Sequence, residues 1–583
     1  MAKRRTRSSS AHDKVAGAGS GKASSVAIRV RLAMGLVVLL GIGLFARAVF
    51  LQVGESEFLQ GQGEARHMRA VEIPTMRGSI VDRHGEPLAV STPVDSVWAH
   101  PLRALDSPEL LPRLAEILDV PADELERRLT QRTHTEFVWL RRRVTPDVAA
   151  QVEALAMPGV GFRREYRRYY PTIEAGAQLV GYTNIDDRGQ EGLEMAFDNW
   201  LDGEPGSKRV IKDRQGRVVE ELELIQPMEA GRDLTLTIDR RLQYQAYRAL
   251  RDAMYARDAQ SGSVVVMDVT TGEVLAMVNH PSYNPNASDR SVGEGLRNRA
   301  MTDMFEPGSV IKPFALAAAL ESGQVTPEMM IDTSPGTLTV SGHTIRDVRD
   351  FGELTITDML VKSSNVGMVE LILDMPPERL WGMYQRFGFG QVTGTGFPGE
   401  SAGVLRDYAR WRRLEQATLA YGYGLSVTPL QLARAVSAIA DGGRLRQPVL
   451  IQEDTQYPPQ SVLDPTTAQQ LTAMMEAVVE SDGGTGRRAQ IPGYRVAGKT
   501  GTSRKSVAGG YANRYVSSFI GFAPASRPRL AAVVVINDPA GEAYYGGEVA
   551  APVFSQVMAA ALRLNNIPPD DAQHMMVSAG GER

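Results

Sequence analysis

Cysteine is absent from all 583 residues of this chain, and histidine occurs only eight times. Without cysteine there is no disulfide, no iron–sulfur cluster, no zinc site of the cysteine type and no thiol nucleophile. The histidines form no HExxH pair, so the sequence predicts no metal site and no cofactor. An apolar content of 43% excludes a disordered or fibrous protein and supplies sizeable cores for three or four domains.

Long hydrophobic runs are also scarce, and a single one stands out. Residues 32–53 form a mostly apolar stretch whose one charged residue is Arg47, and 22 residues are long enough to cross a bilayer of about 30 Å. Residues 1–31 carry eight Lys or Arg and one Asp, a charge of +7 in a chain whose net charge is −4. Such a basic head could bind nucleic acid, but the apolar run after it favours a membrane anchor with a cytoplasmic N-terminus.

A cleaved signal peptide is the alternative, because the uninterrupted apolar run covers only residues 32–46. A signal peptide normally starts close to the N-terminus and ends at a small-x-small cleavage site. Here the run begins after 31 residues, and no convincing site follows Val49. We therefore expect an uncleaved anchor with an exported ectodomain after Gly54.

Regular hydrophobic patterns begin near residue 231. Residues 261–279 predict a hairpin of two apolar strands around a Thr-Gly turn, and residues 515–524 and 530–538 predict two more strands. Helical periodicity is found at residues 240–255 and 551–564. Strand pairs at both ends of one region predict a single antiparallel sheet flanked by helices, an α+β fold.

The first chemical motif is EPGSVIKP, residues 306–313. Because Pro313 has no N–H, a helix here must begin within a residue or two of Ser309. Ser309 and Lys312 then share one helical face, with about 5–6 Å between their Cβ atoms. A neutral lysine can accept the serine proton, and burial near a helix start favours the neutral amine. Taken alone, the pair also fits an N-cap serine beside a surface lysine.

A second motif is KSSNV, residues 362–366, which lies in an apolar context. Ser363 adds a second hydroxyl and Asn365 adds a side-chain amide. A Ser-Ser-Asn sequence is equally typical of a helix N-cap or a turn.

The third motif, GKTGT at residues 498–502, permits two interpretations. Residues 493–500 match the phosphate-loop pattern G-x-x-x-x-G-K-[ST], which requires a buried strand before it and a helix after it. The flanks SDGGTGRRAQIPGY and GTSRKSVAGG fit neither, and an exported domain has no ATP supply. On a strand edge, Lys499, Thr500 and Thr502 would instead present a cation and hydroxyls to an anionic substrate end.

The order and separation of these motifs resemble the active site of penicillin-binding proteins and serine β-lactamases. The resemblance extends to further segments, namely RGSIVDRHGEPLA (77–89), RRYYP (167–171), YGYGLSVTPLQLA (421–433) and INDPAGEAYYGGEVAAPVF (536–554). These segments resemble the class B penicillin-binding proteins that act in division of Gram-negative bacteria. Thr172 and Ile173 depart from the family's usual turn after Tyr-Pro.

The resemblance implies a septal peptidoglycan D,D-transpeptidase that works through an acyl-serine. Ser309 would be the nucleophile and Lys312 its base, and Ser363 and Asn365 would relay a proton and orient Lys312 and the substrate. The backbone N–H groups of Ser309 and Thr502 would form the oxyanion hole. The substrate-binding residues implied are Lys499, Thr500, Gly501, Thr502, Tyr544 and Tyr545. Lys499 would stay charged to hold the carboxylate of a stem peptide or β-lactam.

The resemblance also implies a domain order and partners. The expected order is a cytoplasmic tail (1–31), a transmembrane helix (32–53), a pedestal or dimerisation-like domain (54–230), a transpeptidase domain (231–566) and a polar tail (567–583). The expected ligands are peptidoglycan stem peptides and β-lactam antibiotics. A membrane glycosyltransferase and other division proteins are the expected partners, in the inner membrane with the catalytic domain in the periplasm.

Three alternatives share the motif chemistry. A β-lactamase would need a general base to activate water, and no E-x-x-L-N segment lies between the second and third motifs. A β-lactam sensor would need several membrane spans and a cytoplasmic effector. A D,D-carboxypeptidase stays open, because it differs only in using water as the acceptor.

Overall fold

The structure is a computed structural model that describes residues 21–54, 68–212, 218–287, 293, 295–452, 457–507 and 509–571. Most of the predicted basic head and of the predicted polar tail lies outside the described residues. The described part forms two compact units, and neither is a single continuous stretch of the chain. One consists of Met1–Ile73 with Gly206–Pro227, and the other of Pro74–Pro205 with Met228–Arg583.

The elements are numbered here in chain order. The strands are β1 (Met68–Ile73), β2 (Ile80–Val81), β3 (Pro87–Ala99), β4 (Val138–Val144), β5 (Val160–Tyr169), β6 (Gly206–Lys212), β7 (Val218–Gln226), β8 (Leu234–Thr235), β9 (Ser261–Asp268), β10 (Val274–His280), β11 (Met330–Asp332), β12 (Thr337–Val340), β13 (His343–Arg346), β14 (Glu353–Thr355), β15 (Arg444–Leu445), β16 (Gln460–Ser461), β17 (Ala497–Val507), β18 (Gly510–Ala523) and β19 (Leu530–Asn537). The α-helices are α1 (Gly21–Val49), α2 (Pro101–Leu105), α3 (Leu111–Leu118), α4 (Ala122–Thr130), α5 (Pro146–Leu155), α6 (Ala177–Val180), α7 (Gly192–Ala196), α8 (Asp198–Leu201), α9 (Arg240–Ala256), α10 (Arg299–Thr302), α11 (Lys312–Leu320), α12 (Ile356–Lys362), α13 (Asn365–Leu373), α14 (Pro377–Arg386), α15 (Arg413–Leu419), α16 (Pro429–Ala440), α17 (Pro465–Glu480) and α18 (Gly546–Leu564).

The first unit contains helix α1 and a sheet of order β1-β6-β7. Ile28–Gln52 forms the one helical stretch of the described chain that is long and apolar enough to span a membrane, with a mean hydropathy of 2.3. Its length and composition fit the predicted single-pass anchor.

The second unit contains an antiparallel sheet of order β10-β9-β19-β18-β17. The predicted hairpin and the predicted late strands are all in this sheet, so the expected closure of one sheet by distant segments is confirmed. Both faces of this sheet are buried. Successive residues of a strand point to opposite faces, so neighbouring residues join different cores. On β9, Val264 joins the core that contains α9 and α18, whereas Val265 joins the core that contains α11 and α16.

Residues 74–205 belong to the same unit as this sheet. Within them, β3 pairs with both β4 and β5 in a second sheet, which also includes β2 and β8. The helices α3 and α4 and the strand β4 supply a separate small core. Strand β8 is short, since its pairing with β2 covers only Leu234 and Thr235.

Two helix starts position the chemistry of the predicted site. A 3₁₀ turn, Gly308–Ile311, leads into α11, and Pro313 occupies the first turn as expected. Helix α18 starts at Gly546, earlier than the predicted start at residue 551. A Cβ on Gly546 would lie 2.2 Å from the carbonyl oxygen of Gly501. Close backbone packing therefore requires glycine there, although glycine is a poor helix former.

Candidate active site

The three sequence motifs meet at one cleft of about 510 Å³. Ser309 lies in the 3₁₀ turn before α11, and Lys312 is the first residue of α11. Ser363 follows α12, Asn365 begins α13, and the third motif lies on β17. The predicted site residues that line the cleft are Ser309, Ser363, Asn365, Thr500, Thr502 and Tyr545.

Lys312 is fully buried under the cleft. Its Nζ donates hydrogen bonds to the backbone oxygen of Ser363 (2.7 Å), to Oδ1 of Asn365 (2.8 Å) and to Oγ of Ser363 (3.2 Å). Burial lowers the pKa of Lys312 to about 7, against a smaller opposing effect of Asp347. A large fraction of this amine is therefore neutral near pH 7. In the described chain, Lys312 does not hydrogen-bond Ser309, and such contacts often tighten only when substrate binds.

Lys499 is the second fully buried lysine. Its Nζ donates to Oγ of Ser363 (3.0 Å) and to the backbone oxygen (3.0 Å) and Oγ1 (3.4 Å) of Thr500. Burial, and secondly the charge of Lys312, hold the pKa of Lys499 well below its usual value. The sequence predicts a neutral Lys312 beside a charged Lys499, whereas in the structure burial lowers the pKa of both amines.

The hydroxyl of Ser363 accordingly lies within hydrogen-bond distance of both amines. Ser363 caps the C-terminus of α12 with a φ of 58°, a left-handed conformation that is uncommon outside glycine. This conformation turns the chain sharply between α12 and α13. The turn brings Ser363 and Asn365 to the same lysine.

Asp347 lines the cleft and contacts the second motif, a role that the sequence did not indicate. Its carboxylate accepts hydrogen bonds from Oγ of Ser364 (2.5 Å) and from the backbone N–H groups of Asn365 (2.5 Å) and Val366 (3.1 Å). The neighbouring backbone oxygen of Arg346 accepts from Nδ2 of Asn365 (3.1 Å). The loop after β13 thus holds both ends of Asn365. The sequence RDVRD around Asp347 has no spacing that would have indicated this contact.

The third motif lies on the edge strand β17, as the strand-edge interpretation requires. Oγ1 of Thr500 donates to Oγ1 of Thr485 (3.0 Å), and Oγ1 of Thr502 accepts from the backbone N–H of Gly546 (3.0 Å). Gly501 faces the nucleophile segment, and a Cβ on it would lie 2.7 Å from Cγ1 of Val310 in that segment. The same Cβ would lie 2.4 Å from Oγ of Ser518 on the neighbouring strand β18. Its lack of a side chain lets β17 approach the turn that carries Ser309.

The two tyrosines predicted at the site differ in position. Tyr545 lines the cleft and is 48% exposed. Tyr544 does not line it in the described chain, but stacks between Tyr515 (4.0 Å between ring centroids) and Tyr545 (4.7 Å). Tyr544 therefore supports the aromatic residue that reaches the cleft.

Comparison with known proteins gives two family matches and a close full-length relative. The penicillin-binding protein transpeptidase domain matches residues 262–559, and the penicillin-binding protein dimerisation domain matches residues 72–236. Peptidoglycan D,D-transpeptidase FtsI of Escherichia coli (strain K12) is 44% identical over 542 residues, 92% of each chain. The chain is a class B penicillin-binding protein.

Solved structures of other penicillin-binding proteins show the same fold. The transpeptidase domain of penicillin-binding protein 3 from Burkholderia pseudomallei is 43% identical, with a TM-score of 0.53, and covers 57% of this chain and 97% of that domain. Penicillin-binding protein 3 from Mycobacterium tuberculosis, solved in complex with aztreonam, is 29% identical, with a TM-score of 0.66 over 86% of this chain and 98% of its own. The transpeptidase match of this class B penicillin-binding protein includes every predicted site residue.

Proposed function

We propose that this class B penicillin-binding protein is a peptidoglycan D,D-transpeptidase that cross-links stem peptides through an acyl-Ser309 intermediate. The observation that carries the proposal is the pair of buried amines, Lys312 and Lys499, which share the hydroxyl of Ser363 beneath a cleft lined by Ser309. A desolvated amine with a pKa near neutrality can accept a proton from a serine hydroxyl.

In the acylation step, the neutral Nζ of Lys312 takes the proton of Ser309. Oγ of Ser309 forms a bond to the carbonyl carbon of the penultimate D-Ala. The bond from that carbon to the nitrogen of the terminal D-Ala then breaks, and the leaving amine receives the proton through the hydroxyl of Ser363. The backbone N–H groups of Ser309 and Thr502 would stabilise the oxyanion that forms in between.

Substrate recognition is assigned to β17. Thr500 and Thr502 line the cleft and would hydrogen-bond the carboxylate of the terminal D-Ala or of a β-lactam. Lys499 lies behind Thr500, to which it donates, so it would act on that carboxylate at short range. A bound carboxylate would favour the charged form of Lys499. Gly501 would contribute to substrate binding by letting β17 pack close to the turn of Ser309, and Tyr545 would contribute its exposed ring.

The acyl-enzyme would persist until the amine of a neighbouring stem peptide attacks the same carbonyl carbon and gives up a proton to the neutral Lys312. The bond from that carbon to Oγ of Ser309 then breaks, Oγ takes the proton from Lys312, and the amide cross-link is released. A β-lactam would also form an ester with Ser309. Its leaving nitrogen stays attached to the acyl group through the opened ring, so the acyl-enzyme would persist and the protein would be covalently inhibited.

The remaining assignments place this chemistry in the cell. We propose a single-pass anchor at residues 32–53 with the N-terminus in the cytoplasm, a pedestal at residues 54–230 and a periplasmic transpeptidase domain at residues 231–566. We further propose action at the division septum of the inner membrane, with a membrane glycosyltransferase and other division proteins as partners; this part of the proposal rests on the family resemblance. The relative from Escherichia coli supports the transpeptidase activity itself.

Covalent labelling and product analysis test this function together. Incubation of the full chain with a fluorescent penicillin is expected to give one adduct, which mass spectrometry of the digest places on Ser309. Ser309→Ala should abolish the label, whereas Ser322→Ala, beyond the end of α11, should keep it. A supplied amine acceptor should yield cross-linked peptide; release of D-Ala alone would show a carboxypeptidase, and a stable label without turnover would show a sensor.

A further inference from the structure

A second cavity of about 520 Å³ lies at one end of the catalytic sheet. Its walls come from the start of β9, the ends of β17 and β19, a residue of β18, and residues 297–306, which precede the nucleophile turn. None of its lining residues lines the catalytic cleft. A volume of this size is typical of sites for small molecules.

Among the described residues that line the cavity, basic side chains outnumber acidic ones, four to two. The basic residues are Arg297, Arg299, Arg504 and Lys505, and the acidic residues are Asp303 and Glu306. One carboxylate, that of Asp303, accepts from both Arg299 (2.7 Å) and Arg297 (3.4 Å). The cavity therefore has an excess of positive charge near Arg504 and Lys505.

Lys505 has no carboxylate of its own within ion-pair distance in the described part of the chain. Its Nζ donates to the neutral Oε1 of Gln260 (3.3 Å), and the same oxygen accepts from Arg514 (3.1 Å). Arg514 is paired with Asp538. Burial lowers the pKa of Lys505, and the charges of Arg514 and Arg299 lower it further, against an opposing effect of Asp538. An anion beside Lys505 would relieve this repulsion.

The rest of the wall combines polar groups with apolar side chains, namely Met304, Phe305, Pro429, Val516 and Val535. Ser261 and Ser263 are buried, and Nδ2 of Asn537 donates to Oγ of Ser261 (3.1 Å). Oε1 of Glu306 accepts from the backbone N–H of Gly424 (2.8 Å) and from the hydroxyl of Tyr511 (3.3 Å), whereas its Oε2 is buried and has no hydrogen-bond partner in the described chain. The polar part of this lining suits a hydrophilic anion better than an apolar ligand.

We propose that this cavity binds a small ligand that carries phosphate or carboxylate groups, with Arg504 and Lys505 as its principal cationic contacts. Both groups are oxyanions that accept several charge-assisted hydrogen bonds, which the guanidinium and ammonium groups donate. The inference does not depend on the proposed transpeptidase reaction.

The position of the site connects it to the nucleophile segment. Oγ of Ser503 donates to the backbone oxygen of Glu306 (2.7 Å), which joins β17 to the segment that leads to Ser309. A ligand in the cavity would contact both of these walls.

Calorimetric titration of the full chain in detergent micelles tests the site. Sodium pyrophosphate and sodium citrate serve as the phosphate and carboxylate probes at constant ionic strength, with and without prior labelling by penicillin. We expect one site for at least one probe, with a Kd of about 1 mM or lower. The Kd should be the same before and after labelling, because the catalytic cleft is a different cavity.

Matched variants localise the binding. Lys505→Gln should weaken it about tenfold by removing one charge-assisted hydrogen bond, and Lys505→Arg should retain it. Arg248→Gln changes the net charge equally on the exposed face of α9 and should leave the Kd unchanged. The proposal is overturned if neither probe binds, if penicillin abolishes binding, or if Arg248→Gln weakens it as much as Lys505→Gln. Failure of the proposed function would appear separately, as a missing adduct on Ser309.

Discussion

Asp347→Asn should alter the acylation reaction in a way that a purely structural defect would not. The side chains have the same shape, but the variant lacks the negative charge near Lys312. Because that charge raises the pKa of Lys312, its removal should lower the pKa further below 7. The acid limb of the acylation rate should then move to lower pH, while the plateau rate falls as Asn365 becomes less firmly held.

The size of the plateau effect follows from three hydrogen bonds to the Asp347 carboxylate, one from Oγ of Ser364 and two from backbone N–H groups. Hydrogen bonds to a charged group contribute about 1.5–3 kcal/mol each. Asparagine keeps one acceptor oxygen for the backbone groups and cannot accept from Ser364 in the same arrangement. A net loss of about 1.4–3 kcal/mol corresponds to about a tenfold to 150-fold lower second-order acylation rate.

Stopped-flow acylation by a fluorescent penicillin, measured from pH 5 to pH 9, reads out both effects. The rate of the unmodified protein should rise with pH through an apparent pKa of about 7, because only neutral Lys312 accepts the serine proton. Asp350→Asn is the matched control, since Asp350 lies in the same loop and, among the described residues, its side chain accepts only from the backbone N–H of Gly352 (2.9 Å). An unchanged acid limb in Asp347→Asn, or an equal shift in the control, would refute the reasoning.

Two further predictions concern the close contacts and the lysine pair. Gly501→Ala should slow acylation and lower the thermal unfolding midpoint, because the added Cβ would lie 2.4 Å from Oγ of Ser518. The control Gly382→Ala has open space around it and should not destabilise the protein. Equal midpoints of the two variants in a thermal melt would contradict this. Lys312→Arg should abolish acylation, since a guanidinium does not lose its proton, while Lys499→Arg should retain some activity at a rate about 10- to 150-fold lower. Faster stopped-flow acylation by Lys312→Arg than by Lys499→Arg would show that the assigned roles are reversed.

Local patterns in the sequence determined the elements that carry the chemistry. The continuous apolar runs of β9 and β19 and the Thr-Gly turn before β10 predicted strands that the structure contains. The flanks of residues 498–502 excluded a phosphate loop, and β17 is indeed an edge strand. Such features are set by residues within a few positions of one another, so hydrophobic period and turn chemistry suffice to find them.

The tertiary structure decided how those elements act on each other. Ser363 contacts Lys312 across 51 residues and Lys499 across 136 residues, and Asp347 reaches Asn365 from a separate loop. The sequence predicted a charged Lys499, but burial of both amines lowers both pKa values. Desolvation and contacts between distant segments depend on how whole layers pack, and no local pattern encodes that packing. The spacing of the motifs therefore indicated the chemistry of the site, whereas packing set the pKa values of its two lysines.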